Sequence, residues 1–204
     1  MYHGERFNSY SHLAGLLLAV GGSAWLIVQA ALRGDVWQMV SFSIFAASMI
    51  LLYGASTLYH SVKGAAKKVL VKFDHCAIYV LIAGTYTPFT LVTLRGPWGW
   101  ALFGTVWGLA VIGIVKELWL GRERVPSVPL YVAMGWMAIV AVVPLVRELP
   151  NAGLAWLVAG GLLYTIGIVF YANDERWKHA HGVWHLFVLG GTVSHYCAVL
   201  LYVA

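Results

Sequence analysis

Charge is what this sequence has least of: Asp, Glu, Lys and Arg make up 10% of its 204 residues, against 61% hydrophobic residues and a mean hydropathy of +0.78. So little charge cannot cover so much apolar surface, which excludes a water-soluble fold. Gly-rich phosphate loops, domain-sized linkers and low-complexity tracts are missing as well. Residues 1–204 therefore read as a single transmembrane domain. The first apolar run lacks a basic leader and a convincing cleavage site, so it reads as a spanning helix and not as a removed signal peptide.

What the chain does have is apolar runs of about 20 residues, the length a bilayer core requires. Seven can be read, centred near Ala19, Met49, Ile82, Leu109, Ile139, Leu163 and Val193. The runs are long and continuously apolar, whereas barrel strands alternate over roughly ten residues. The fold class is therefore all-α, a polytopic membrane protein of seven transmembrane helices. Trp37, Trp98, Trp119, Trp156, Trp177 and Tyr202 fall near run ends, where amphipathic rings anchor at the lipid interface. Thr85, Thr87 and Pro88 predict a kink in the third helix, because Pro removes a backbone bond and crowds the preceding turn.

Of the thirteen Lys and Arg, ten fall in the N-terminal tail and the second, fourth and sixth connections, and only Arg33, Arg95 and Arg147 lie on the opposite side. Short cytoplasmic loops hold the basic excess, so the N-terminus is expected in the cytoplasm and the C-terminus outside, the inverse of a G-protein-coupled receptor. A plasma membrane location follows, which in a bacterium is the inner membrane. The pI of 9.3 then reflects charge against an anionic leaflet, with membrane lipids as partners and no nucleic acid. Cys76 and Cys197 come out about a bilayer apart, which excludes an intramolecular disulfide. No feature of the sequence specifies an oligomeric state.

Ionisable residues inside spans are costly and are functional suspects by default. Ser56 and His60 lie one turn apart at the inner end of the second helix, Asp74 in the first turns of the third, and His181 and His185 at i and i+4 at the start of the seventh. Topology alone brings His60, Asp74, His181 and His185 to one depth. Three imidazoles and a carboxylate on three helices suit a divalent metal such as zinc, which takes both ligand types.

Four stretches, Ser56-Thr57-Leu58-Tyr59-His60, Lys72-Phe73-Asp74-His75, Gly84-Thr85-Tyr86-Thr87-Pro88-Phe89 and His181-Gly182-Val183-Trp184-His185, together resemble the bacterial haemolysin III proteins, which belong with the progestin and adiponectin receptors in one seven-helix family. The resemblance runs from Glu5-Arg6-Phe7-Asn8 and Ser11-His12 to the last span. It implies a zinc ion (Zn2+) held by His60, His181 and His185, with water in the fourth position and Asp74 nearby. It also implies a hydrolase of lipid amides such as ceramide, since alkaline ceramidases share this Ser, Asp and three-His arrangement. Asp74 would then carry a proton from water to the leaving amine, and Ser56 would hydrogen-bond Asp74 or the developing oxyanion. The alternative is a non-enzymatic, receptor-like or haemolytic, pore-forming membrane protein with structural zinc, in which Asp74 is a direct fourth ligand closing a clamp. The chain lacks the long N-terminal region of the adiponectin receptors, so hormone reception is not carried over.

The other histidines are read separately. His12 is expected to pack at the interface, with support of the site from behind as its functional reading. His75, rotated about 100° from Asp74, reads as a polar contact at the membrane edge, and His3 and His179 as solvent-facing. His195 lies about 15 Å further along the helix than His185; buried hydrogen bonding is expected of it, with cavity lining as the alternative. Its spacing from His181 would suit stacked haems, but no other span has a matching pair, so haem is disfavoured. Glu117 and Glu148 read as solvated ends near Lys116 and Arg147. Asp174, Glu175, Arg176 and Lys178 read as a solvated loop with no catalytic part.

Overall fold

Gly34 and Asp35 make the first connection. Gly34 takes the left-handed conformation (φ 69°) and its N–H bonds back to Ala30 and Ala31, which ends one helix. The Asp35 carboxylate then accepts from the backbone N–H groups of Trp37 and Gln38 and starts the next. Two residues thus turn one span into its antiparallel neighbour. The computed structural model describes residues 4–119 and 127–203.

Among the described residues seven helices are long and apolar enough to cross a membrane: α1 Arg6–Arg33, α2 Val36–Ser61, α3 Ala65–Thr93, α4 Pro97–Trp119, α5 Val128–Glu148, α6 Asn151–Tyr171 and α7 Ala180–Val203. Each contains the centre expected from the sequence. Packing runs α1 on α2, α2 on α3, α3 on α4 and α6 on α7, with α1 returning to α7. The starts of α1, α3 and α7 and the end of α2 therefore share one end of the bundle. Large aliphatic and aromatic side chains such as Leu17, Trp25, Val111 and Val158 point outward, the direction in which lipid and not water is the solvent. Trp98, Trp119 and Trp177 near span ends are likewise exposed. Both cysteines are free.

Lipid tails are as apolar as leucine, so close packing and hydrogen bonds have to associate these helices. The α6–α7 seam shows how. The buried residues of α6 are Gly153, Gly160 and Gly167, seven apart on one face. They receive Tyr202, His195 and the Trp184–Phe187 pair of α7, and a β-carbon on any of the three would press into the opposing ring.

Two spans depart from a plain helix. In α3 the kink expected at Pro88 takes the form of a switch to π-helix over Phe89–Thr93, while Thr85 and Thr87 bond to carbonyls one turn back. In α5 a tighter 3-10 stretch, Trp136–Ala141, interrupts the α-helix, a break that apolar periodicity did not announce. Tyr86 of α3 repairs it: its hydroxyl donates to the Gly135 carbonyl (2.7 Å) and accepts from the Ala138 N–H (2.8 Å). Irregular backbone at membrane depth survives only where protein satisfies it in this way.

Candidate metal centre

His60 stands one residue before the end of α2, and His181 and His185 occupy successive turns at the start of α7. One ring nitrogen from each of the three lies within 4.8 Å of the others, the reach of a single ion. Their ring centroids are 4.8–5.1 Å apart. His60 and His185 are buried and His181 is half-buried.

All three rings are oriented from behind, and the acceptors come from outside α2. The Nδ1 of His60 donates to Glu5 Oε2 at 2.6 Å, that of His181 to Asp174 Oδ2 at 2.9 Å, and that of His185 to the Asn8 carbonyl at 3.1 Å, with Ser11 Oγ also at 3.1 Å. A carboxylate or a carbonyl oxygen can only accept. Each Nδ1 must therefore carry the proton, which leaves the Nε2 lone pair of every ring for the shared centre. The Nε2 of His60 is fully enclosed without a hydrogen-bond partner. A buried nitrogen in that condition costs about 1–3 kcal/mol unless something fills its lone pair. Neutral imidazoles whose far nitrogens rest on carboxylates or carbonyls are the usual setting of metal ligands, so the triad can hold a metal ion.

Glu5 is the hinge of this arrangement. Besides His60 it accepts from Lys67 Nζ (2.8 Å) and Asn8 Nδ2 (2.9 Å). Burial pushes its carboxyl up, but the hydrogen bonds from His60 and Lys67 outweigh burial and hold the group well below the usual carboxylate range. The segment can approach because Gly182 has no side chain: the Phe7 ring packs where its β-carbon would be. The residues involved, Glu5, Ser11 and His12, each stand three or four positions from Asn8, a polar stripe at the head of α1 that marks one helix face. That spacing was the available signal for Glu5 and Asn8. Asp174, taken from sequence as part of a solvated loop, turns out to orient His181, and nothing in its surroundings announced the role.

His12 corrects the expectation of interfacial packing. It is buried, its ring stacks on His185 at 3.6 Å and 13°, and Tyr53 meets it edge-on at 5.1 Å. Asp74 and Ser56 line the same cavity as the triad. Among the described residues the donors that meet are the three imidazoles, without Asp74. The Ser56 hydroxyl stands beside the Asp74 carboxyl. His75 is expected as a polar contact at the membrane edge and Glu117 as a solvated span end. They are buried and bonded to each other, Nδ1 to Oε1 at 2.7 Å. His195 Nε2 donates to the Leu157 carbonyl at 3.0 Å, the buried bond expected of it, and the ring also lines the cavity. His179 is exposed; His3 lies outside the described residues.

The cavity measures about 950 Å³. Its polar end holds the triad, Asp74 and Ser56. Toward the bundle centre the walls become apolar and aromatic, with Leu52, Leu81, Ile82, Trp136 and Val188, and His195 and Tyr164 lie deep within it.

A protein family described as Haemolysin-III related matches residues 1–196. The chain is 42% identical to Hemolysin-3 of Bacillus cereus over 201 residues, covering 98% of this chain and 91% of that protein. It is 46% identical to the Hemolysin-3 homolog of Bacillus subtilis (strain 168) over 200 residues, covering 97% and 93%. It is 30% identical to the human Monocyte to macrophage differentiation factor over 203 residues, covering 96% and 82%.

Proposed function

The chain belongs to the haemolysin III-related family, a multi-pass membrane protein whose bacterial relatives imply the inner membrane, and we propose that it is a zinc-dependent hydrolase of lipid amides. The observation that carries this reading is the triad: three imidazoles with Nδ1 spoken for and Nε2 bare, in a cavity whose other walls are largely apolar. Three neutral nitrogens with a fourth position open is the donor set of a catalytic zinc. Zinc bound there acidifies water and polarises a carbonyl oxygen. We place the triad at the cytoplasmic face, from the loop charges.

The chain's own residues divide the rest of the work. Asp74, beside the triad and outside its donor set, takes a proton from the attacking water and returns it to the leaving amine. Ser56 rotates onto Asp74 or onto the oxygen that gains charge. The apolar walls hold the acyl chain and exclude water from the reacting bond. The test is release of fatty acid from amide lipids by purified, zinc-loaded protein. Asp74→Asn should abolish turnover and leave zinc bound.

The names of the bacterial relatives favour lysis as the second reading. Dye release from sealed liposomes by the intact protein, undiminished in Asp74→Asn and without lipid turnover, would establish that reading in place of hydrolysis.

A further inference from the structure

The mechanism above leaves one buried pair without a task. His75 of α3 and Glu117 of α4 are 8% and 4% exposed, and Nδ1 of the one meets Oε1 of the other at 2.7 Å. Burying a carboxylate at the end of a membrane helix is costly unless it is paired, so the pair needs an explanation that packing does not supply. The neighbours hold it in place. The Tyr131 hydroxyl of α5 donates to the His75 carbonyl (2.9 Å), and Lys72 ties α3 to α4 through the Leu118 carbonyl (3.0 Å).

The ring has two edges. Glu117 accepts at Nδ1, which fixes the proton there and leaves Nε2 as a lone pair on the opposite edge. His75 lines the same cavity as Asp74, the residue next to it in the chain. An imidazole oriented from behind by a carboxylate, with its free nitrogen open to a cavity, is the arrangement of a general base. Among the described residues it lies outside the group of imidazoles that could share an ion.

We propose that His75, oriented by Glu117, is a second proton carrier of this site, taking the proton that Asp74 does not. The role rests on the hydrolase reading. Hydrolysis breaks the amide C–N bond and forms a C–O bond, and the products leave as a carboxylate and an ammonium ion. One proton of the attacking water travels through Asp74 to the nitrogen. The other is released when the new acid ionises. It passes to Nε2 of His75, where the Glu117 carboxylate balances the imidazolium, and then to the amine or to water.

The experiment uses the full chain, zinc-loaded, in lipid nanodiscs with an amide lipid as substrate. His75→Ala should lower kcat about 100-fold, leave KM and zinc content unchanged, and regain activity when free imidazole is added. Glu117→Gln should lower kcat by a smaller factor, with KM and zinc content again unchanged. Wild-type kcat in His75→Ala, or a loss that imidazole does not restore, overturns the proposal. Histidine 15N spectra without substrate separate its failure from that of the hydrolase reading. A proton on Nδ1 of His75 that moves to an equal mixture of tautomers in Glu117→Ala supports the oriented base, and a proton on Nε2 in the wild type overturns it. If the wild type turns over no amide lipid, the hydrolase reading falls and the catalytic role with it, while the spectra still decide whether the base is built.

Discussion

Three histidine–carboxylate pairs gather near one end of this bundle, and they divide into two kinds. His60–Glu5 and His181–Asp174 have bonds of 2.6 and 2.9 Å, and His75–Glu117 has one of 2.7 Å. In all three the carboxylate settles which nitrogen carries the proton. What differs is the view from the other edge of the ring. At His60 and His181 that edge lies beside two more imidazoles; His75 lines the same cavity but stands outside that group. The pair fixes a tautomer, and the neighbours decide whether the lone pair becomes a metal ligand or a base.

The strongest way to break this distinction is to remove the rings in turn and count zinc. His60→Ala, His181→Ala and His185→Ala should each lose bound zinc in metal analysis, while His75→Ala keeps the wild-type content. Equal loss in all four would erase the division. Removing the acceptors is a milder cut. Glu5→Gln and Asp174→Asn should weaken zinc affinity by about 10–100-fold in competition titrations, and Glu117→Gln should leave it unchanged.

Stability gives a smaller signal and points the other way. Glu117→Ala leaves the buried His75 without its partner between α3 and α4 and should cost about 1–3 kcal/mol in unfolding from detergent. Asp174→Ala, at an exposed loop, should cost under about 1 kcal/mol. The smallest effect is in acid. The Glu5 carboxyl is lowered in the folded chain, so its contribution is complete above the ordinary carboxylate pKa of about 4.3 and is lost only as pH falls through the lower folded value. Glu5→Gln should therefore reduce thermal stability near neutrality and flatten its fall below about pH 4. An unchanged acid limb would mean that Glu5 is not held as the structure places it.

Much of this end of the molecule could be read residue by residue. His60 and Asp74 came from where two runs end and begin, and His181 and His185 from a one-turn spacing, all of which are local facts. Glu117 was misread because its neighbours in the chain, Lys116 and Leu118, look like any span end. Its partner is 42 residues away. His12 was misread for the same reason, since the ring it stacks on belongs to the last helix. The break in α5 was missed although Gly135 and Pro144 flank it in the sequence, and the hydroxyl that repairs it belongs to Tyr86.

Span number and the depth of each polar residue follow from the chain alone, since a bilayer reads the length and polarity of one segment at a time. Which carboxylate backs which imidazole does not. That depends on how each helix is rotated about its axis and on which helices touch, and rotation is set by side chains meeting across the bundle. The sequence placed three histidines at one level. Only the packed helices brought those three rings within reach of one ion and left His75 outside the group.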